Sequence, residues 1–283
     1  MPAPPRTSAD ALVDRYDGLL LDAYGVLMTE AGPLPGAAEF IARLQRLRMP
    51  FCVLTNDAAK LPTTTARRLQ GMGIDVPAEC VVTSGSLLLA HFAQHGLTGA
   101  ACAVLGPQDS VRYVIEAGGR IVGADADFEV LVIGDESGFD FIETMDAALS
   151  MLFARLDRGE RVHLVVPNPD LVYPAGPGAF GFAAGTLAAM FEGALALRYP
   201  GRGDLRFVRL GKPHAAIFAE GLHRIGTRNA AMIGDTLETD IRGANAAGID
   251  SILIGTGVST PHWPTTPPEL RPAATLRSFA QQP

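Results

Sequence analysis

The stretch Leu19-Leu20-Leu21-Asp22-Ala23-Tyr24-Gly25-Val26-Leu27 decides the fold. Its consecutive leucines read as a buried strand of a parallel α/β sheet. The run ends in an acid, and small residues then turn the chain at once. Ligands of open parallel α/β sheets sit outside the carboxyl ends of the strands. Asp22 is therefore placed to attack an electrophile. Aspartate also forms turns and caps helices, so the chemistry rests on three later stretches that carry further polar groups at strand ends.

Working outward, short apolar runs alternate with amphipathic stretches in the manner of βαβ units. After a glycine- and proline-rich turn over 32–36, Phe40, Ile41, Leu44 and Leu47 recur at helical spacing, a stripe that core packing explains. Phe51-Cys52-Val53-Leu54 predicts a second buried strand, ending at Thr55-Asn56-Asp57, and a helix over about 63–69 closes at Gly71. In the C-terminal third, Lys212-Pro213 is expected to open a helix, with proline at its favoured first position and Ile217, Phe218 and Leu222 on the apolar face. Ala230-Ala231-Met232-Ile233 predicts a strand that ends at Gly234-Asp235. Asp240 starts a helix closed by Gly248, residues 251–254 form another strand, and the segment from Thr260 on, with its prolines and a final short helical stretch, is expected to be a peripheral tail.

The residues between these parts have βα elements of their own. Strands are predicted at 101–105, 130–133 and 162–166, and helices near 86–94, 139–158 and 184–195. The glycine-rich run over 176–185 reads as a flexible entry into the last of these helices. That is enough for an independent core. The expected fold is α/β: a doubly wound, Rossmann-like parallel-sheet core from residues 1–84 and 207–283, interrupted by a large α/β insert over 85–206.

Composition narrows the function classes. The 283 residues are 48% apolar and 19% charged, an ordinary globular balance. A net charge of −7 argues against a sequence-independent nucleic-acid binder. Cys52, Cys80 and Cys102 are odd in number and widely spaced, as reduced structural thiols would be. No apolar run approaches the ~20 residues needed to span a bilayer, and residues 1–10 carry no apolar signal segment. A cytoplasmic protein with no membrane and no nucleic-acid partner is expected. The six histidines are read as lacking metal-ligand spacing, with His214 on the surface.

Four strand ends or helix starts thus supply Asp22, Thr55, Lys212, and Asp235 with Asp240. These groups suit covalent phosphoryl transfer. A carboxylate attacks phosphorus, a divalent metal bridges attacker and phosphate, and a cation and hydrogen-bond donors neutralise the equatorial oxygens. Mg²⁺ takes a few carboxylates plus waters and substrate oxygens, so two or three acids suffice. Each group has a plainer reading: Thr55 as a turn cap, Lys212 as a solvated lysine, Asp235 as a turn acid, Asp240 as a helix N-cap. Asn168 and Asp170 read as shaping a loop of the insert.

Together these stretches resemble the haloacid dehalogenase superfamily over nearly the whole chain. Asp22-Ala23-Tyr24-Gly25-Val26-Leu27 is similar to its first motif, Leu54-Thr55-Asn56 to its second, Gly211-Lys212-Pro213 to its third, and Gly234-Asp235-Thr236-Leu237-Glu238-Thr239-Asp240 to its fourth, the most specific. The insert between motifs two and three resembles the cap of subclass IIA, the branch of p-nitrophenylphosphatase-like and sugar or nucleotide monophosphatases, as does Asn168-Pro169-Asp170. The resemblance implies a Mg²⁺-dependent hydrolase of small phosphorylated metabolites that works through an aspartyl-phosphate. Asp22 and Lys212 would be catalytic. Thr55, Asn56 and Lys212 would bind substrate. Asp22, the Tyr24 carbonyl, Asp235 and Asp240 would hold the metal. A homodimer is compatible with this reading.

One position departs from the family. Its phosphatases usually carry a second Asp two residues after the nucleophile, as the acid and base for leaving group and water. Tyr24 stands there instead. A positioned acid or base contributes about 10²–10⁴-fold in rate. The D-A-Y-G pattern also looks like the first motif of metal-independent L-2-haloacid dehalogenases, which lack the acids of the fourth motif. A phosphometabolite-binding protein with little turnover is the other alternative.

Overall fold

The computed structural model describes residues 2–176 and 178–280. They form two compact units. The core unit takes residues up to Thr55, Pro62–Val82, and the chain from Lys212 onward. The inserted unit takes Asn56–Leu61 and Thr83–Gly211.

In the core unit, Gly18–Asp22 is the strand that the leucine run predicts, with all five residues buried. It pairs in parallel with Phe51–Thr55 on one side and with Ala230–Gly234 on the other. The sheet continues from Ala230–Gly234 through Asp250–Ile254 and Ala274–Leu276 to Arg6–Thr7, and ends at the other edge with Val81–Thr83. The pairings from Arg6–Thr7 across to Phe51–Thr55 are all parallel. The chain winds first to one side of Gly18–Asp22 and returns on the other, so that strand borders the topological switch point where such sheets bind ligands. Leu19, Leu21, Ile41, Leu44, Val53, Leu69, Ile233 and Ile252 pack into one continuous core.

The two chain ends depart from expectation. The proline-rich tail is not peripheral: Ala274–Leu276 is an internal strand of the sheet. Phe279 is buried and stacks on Phe40 with ring centroids 4.3 Å apart. Three residues that alternate inward are too short a run for periodicity to register against the flanking prolines. Near the start, Ser8 accepts a hydrogen bond from the Ala11 amide and caps a helix, Ala9–Arg15, that the sequence reading left out.

The inserted unit has its own parallel sheet, ordered Val208–Arg209, His163–Val166, Val130–Ile133, Ala101–Leu105 and Arg120–Ile121. Helices Leu88–His95, Gln108–Glu116, Phe141–Asp157 and Ala184–Arg198 belong to it. Its core gathers Phe128, Leu131, Ile133, Leu152, Val166, Leu187, Phe191 and Phe207. The glycine-rich run is not a loose helix entry. Residues Val172–Gly176 and Ala179–Phe182 pair as an antiparallel hairpin, and glycine allows Gly181 to lie against the Tyr173 ring. Among the described residues, no helix is long and apolar enough to cross a membrane.

Candidate active site

Strand register builds the site. Asp22 lies level with Leu54, and Leu21 level with Ile233. Asp22, Thr55 and Asp235 therefore emerge together at the carboxyl edge of three adjacent strands. Lys212 lies in the turn before helix Ala215–Ile225, whose N-cap is His214. Pro213 thus precedes the helix instead of opening it. This turn leaves the lysine side chain pointing inward: Nζ lies 2.7 Å from Asp22 Oδ1 and 2.7 Å from Asp240 Oδ1.

Asp240 also differs from its expected place as a helix start. The first helical turn is a wide one over Leu237–Ile241, continued by helix Arg242–Ala247 and closed by Gly248 in the left-handed region. From inside that turn, fully buried Asp240 reaches back, and its Oδ2 accepts from the Thr236 amide at 3.1 Å. Its two oxygens thus join Lys212 to the loop that follows Asp235. Asp235 is fixed in turn: Oδ1 accepts from the Thr236 hydroxyl at 3.1 Å, and Oδ2 from the Val258 amide at 3.0 Å. Asp22 Oδ1 accepts from the Ala23 amide at 2.7 Å.

The acids crowd one another. Ligand oxygens of Asp22, Asp235 and Asp240 all lie within 4.8 Å of one another. Burial raises the Asp22 carboxyl well above the usual carboxylate range; Lys212 opposes the shift, while Asp240 and Asp235 add to it. Burial also raises Asp235, with Asp240 adding to it. Burial works against the charge on Lys212, but Asp22 and Asp240 outweigh it and push its pKa up. Three carboxylates against one ammonium leave a buried excess of negative charge.

A hard dication fits that cluster. The donors are oxygens, the type that Mg²⁺ takes, and its charge offsets the repulsion that raises Asp22 and Asp235. Glycine keeps the surroundings close. A Cβ on Gly257 would fall 1.9 Å from Asp235 Oδ2, and one on Gly25, already at φ +77°, would fall 2.3 Å from the same atom. A Cβ on Gly234 would meet the Asp240 Cβ at 2.1 Å.

Thr55 is buried at its strand end. Asn56 begins the other unit, where its Nδ2 donates to Asp170 Oδ1 at 2.9 Å and its carbonyl accepts from Ser84 Oγ at 2.6 Å. Asp170 itself is set by Asn168, whose Oδ1 accepts from the Asp170 amide at 3.0 Å. Tyr24 is 37% exposed. Its phenol oxygen accepts from Arg68 Nη1, and the guanidinium carbon lies 5.3 Å from the ring centroid. A groove of about 1560 Å³ on the same unit, lined by residues such as Arg6, Glu39, Arg43 and Trp263, includes none of these groups.

A model of haloacid dehalogenase-like hydrolases matches residues 19–120, and a HAD-hydrolase-like model matches 209–281. The two matches bracket all four motifs. The chain belongs to the haloacid dehalogenase-like hydrolases. Within that superfamily it is a phosphatase. It is 28% identical over 242 residues to the dihydroxyacetone phosphatase of Corynebacterium glutamicum, covering 85% of this chain and 81% of that protein. A "possible sugar phosphatase" of the superfamily from Cytophaga hutchinsonii superposes with a TM-score of 0.83 at 26% identity, over 99% of this chain and 100% of the other. The glycerol phosphate phosphatase of Mycobacterium tuberculosis, solved in complex with magnesium, superposes at 0.78 with 25% identity, over 95% of this chain and 77% of that one. Phosphatases of this superfamily use Mg²⁺.

A second cluster, which none of the four motifs marks, lies in the inserted unit. His91 and His95 lie one turn apart on helix Leu88–His95, and His163 begins strand His163–Val166; their ligand nitrogens all lie within 4.8 Å of one another. Metal-ligand spacing is therefore present among the six histidines, as a His-x-x-x-His pair one helical turn apart.

Proposed function

We propose that this phosphatase hydrolyses small phosphate monoesters of the sugar phosphate and glycerol phosphate type, with Asp22 as nucleophile and Mg²⁺ as cofactor. The observation that carries this reading is the Lys212 ammonium, held 2.7 Å from Asp22 and Asp240 alike beside a third buried acid. An Asp22 oxygen bonds to phosphorus as the bond to the leaving oxygen breaks. Water then hydrolyses the aspartyl-phosphate, releasing inorganic phosphate and restoring Asp22. Lys212 favours the ionised form of Asp22 and faces the charge that develops on the equatorial oxygens. The Thr55 hydroxyl, at the neighbouring strand end, donates to the same phosphate.

Asp22, Asp235 and the Tyr24 carbonyl would hold the metal. Asp240 would share in the site through oxygens that also orient Lys212 and the Thr236 loop. When bound, Mg²⁺ supplies a positive charge against phosphate and nucleophile. The Tyr24 side chain supplies no second carboxylate, and its phenol is engaged by Arg68. Leaving oxygens that need no proton are therefore the better substrates. The dehalogenase alternative has less support, because an uncharged carbon electrophile gives no role to a dication held by Asp22 and Asp235. The names of the relatives support the phosphate ester class.

The test is hydrolysis of p-nitrophenyl phosphate, glycerol phosphate and hexose phosphates with and without Mg²⁺, in wild type and Asp22→Asn. Magnesium-dependent phosphate release that Asp22→Asn abolishes is expected. Metal-independent halide release from 2-haloacids, with no phosphate release, would overturn the proposal.

A further inference from the structure

We propose that the inserted unit carries a second metal site, formed by the imidazoles of His91, His95 and His163 and suited to a borderline-soft dication such as Zn²⁺. Two elements distant in sequence bring the three rings together. Helix Leu88–His95 presents His91 and His95, and the first residue of strand His163–Val166 presents the third ring. Ring centroids lie 4.2, 5.0 and 5.1 Å apart. Core packing explains one buried histidine, but not the convergence of three.

The nitrogens are arranged for ligation. His95 Nδ1 lies 2.9 Å from the His91 carbonyl oxygen. A carbonyl only accepts, so Nδ1 carries the proton and Nε2 keeps its lone pair. This is how a second hydrogen bond fixes the tautomer of metal-binding histidines. His91 Nε2 and His163 Nε2 face each other at 2.7 Å. One of them must donate to the other, and a metal at that point takes the place of the shared proton, which the donor ring then carries on Nδ1. Tetrahedral ligands at ~2.0–2.1 Å from Zn²⁺ stand about 3.3 Å apart. The contact therefore has to open by about 0.6 Å, within reach of small side-chain rotations.

The electrical setting agrees. Burial, then the neighbouring His95 and His163, lowers the His91 pKa to about 4, and burial and His95 lower that of His163. Both shifts favour the neutral imidazole, the form that binds metal. Three imidazole nitrogens suit zinc and its neighbours, where carboxylates and waters suit magnesium. His91 is 5% exposed while His95 is exposed, so the cluster opens to solvent on one side. Three protein ligands would leave a fourth position for water.

The test uses untagged, metal-stripped, full-length protein in saturating Mg²⁺, titrated with Co²⁺ and then with Zn²⁺. Nitrogen-ligated, four-coordinate Co²⁺ absorbs strongly in the visible, whereas oxygen-ligated octahedral Co²⁺ absorbs weakly. One strongly absorbing equivalent, displaced by Zn²⁺, is expected in wild type and in Asp235→Asn. His95→Ala, a change at an exposed position, should weaken binding by at least about 10–100-fold. His163→Gln should do the same. Absence of the strong bands in wild type would overturn the proposal. So would bands that persist unchanged in His95→Ala, or bands lost in Asp235→Asn.

Discussion

Asp22, Asp235 and Asp240 in the core unit and His91, His95 and His163 in the inserted unit each converge to within 4.8 Å, yet burial acts on the two sets in opposite directions. It raises the pKa of Asp22 and Asp235, because taking them out of water penalises their negative charge. It lowers that of His91 and His163, because the charge it penalises there is positive. The carboxylates are left frustrated, with Lys212 as a partial counter-ion. His91 and His163 are held away from the charged form and need none. Donor hardness and net charge therefore assign a different metal to each cluster.

The largest expected effect removes the group that makes the acidic cluster a catalyst. Asp22→Asn should lower phosphate release by at least about 10⁴-fold, as loss of a covalent nucleophile does elsewhere. It should leave the fold intact, since Lys212 keeps Asp240. Residual turnover within 10-fold of wild type would show that the cluster binds metal without acting through Asp22.

The next change adds a fourth acid to the hard site. Tyr24→Asp frees Arg68 and places a carboxyl group two residues after Asp22. Alkyl phosphatase activity should rise about 10²-fold, with p-nitrophenyl phosphate gaining much less because its leaving group needs no proton. Equal gains on both substrates would place the benefit in metal binding instead. Asp235→Asn probes that metal binding directly. It should weaken Mg²⁺ affinity by at least about 10–100-fold in a calorimetric titration, and it should leave the Co²⁺ signal of the histidines unchanged.

How much of this was legible in the sequence follows from how each cluster is assembled. Asp22, Thr55 and Asp235 end apolar runs, so one rule about parallel strands found all three, and the register of Gly18–Asp22 with its neighbours brings them together. Lys212 was legible from its flanking Gly211 and Pro213, although the turn that aims it was not. Asp240 was visible as an acid of the fourth motif, but its reach back to the Thr236 amide depends on a wide helical turn with no periodic signature. The histidine cluster has only a His-x-x-x-His pair on a short helix, and its third member lies 68 positions beyond His95. Its closure depends on the insert's tertiary fold, just as the burial of Phe279 against Phe40 depends on that of the core unit.

Stability should record the opposite signs as well. Without metal, the folded-state values of Asp22 and Asp235 stand above their unfolded ones near ~4. The folded protein then holds more protons than the unfolded chain as pH rises through that window, so these acids make stability fall with pH. His91, lowered to about 4, gives the opposite slope: between about 4 and its unfolded value near ~6.5, the unfolded chain holds more protons and stability rises with pH. Melting temperatures of metal-stripped protein across pH 4–8 should therefore fall more steeply in His91→Gln than in wild type. Saturating Mg²⁺ should flatten the fall, with the stabilisation by Mg²⁺ growing as pH rises. Parallel profiles for wild type and His91→Gln would mean that the imidazole cluster titrates as it does in the unfolded chain.

The smallest effect is the one that separates a metal site from a packing feature. His95 is exposed, and besides meeting the other two rings it makes one hydrogen bond to the His91 carbonyl at the end of its own helix. In metal-stripped protein, His95→Ala should change stability by only about 0.5 kcal/mol, as surface substitutions do. With Zn²⁺ at 100 times the wild-type dissociation constant, the wild type should gain about 2.7 kcal/mol through mass action, and the variant, bound about 10–100-fold more weakly, only about 0.4–1.4 kcal/mol. If the third ring serves packing alone, the two proteins differ by the same amount with and without zinc. If it serves ligation, the difference widens when zinc is added. Thermal melts of the two proteins in chelator and in Zn²⁺ distinguish these cases, and equal zinc responses would leave the carboxylates as the one metal-binding cluster among the described residues.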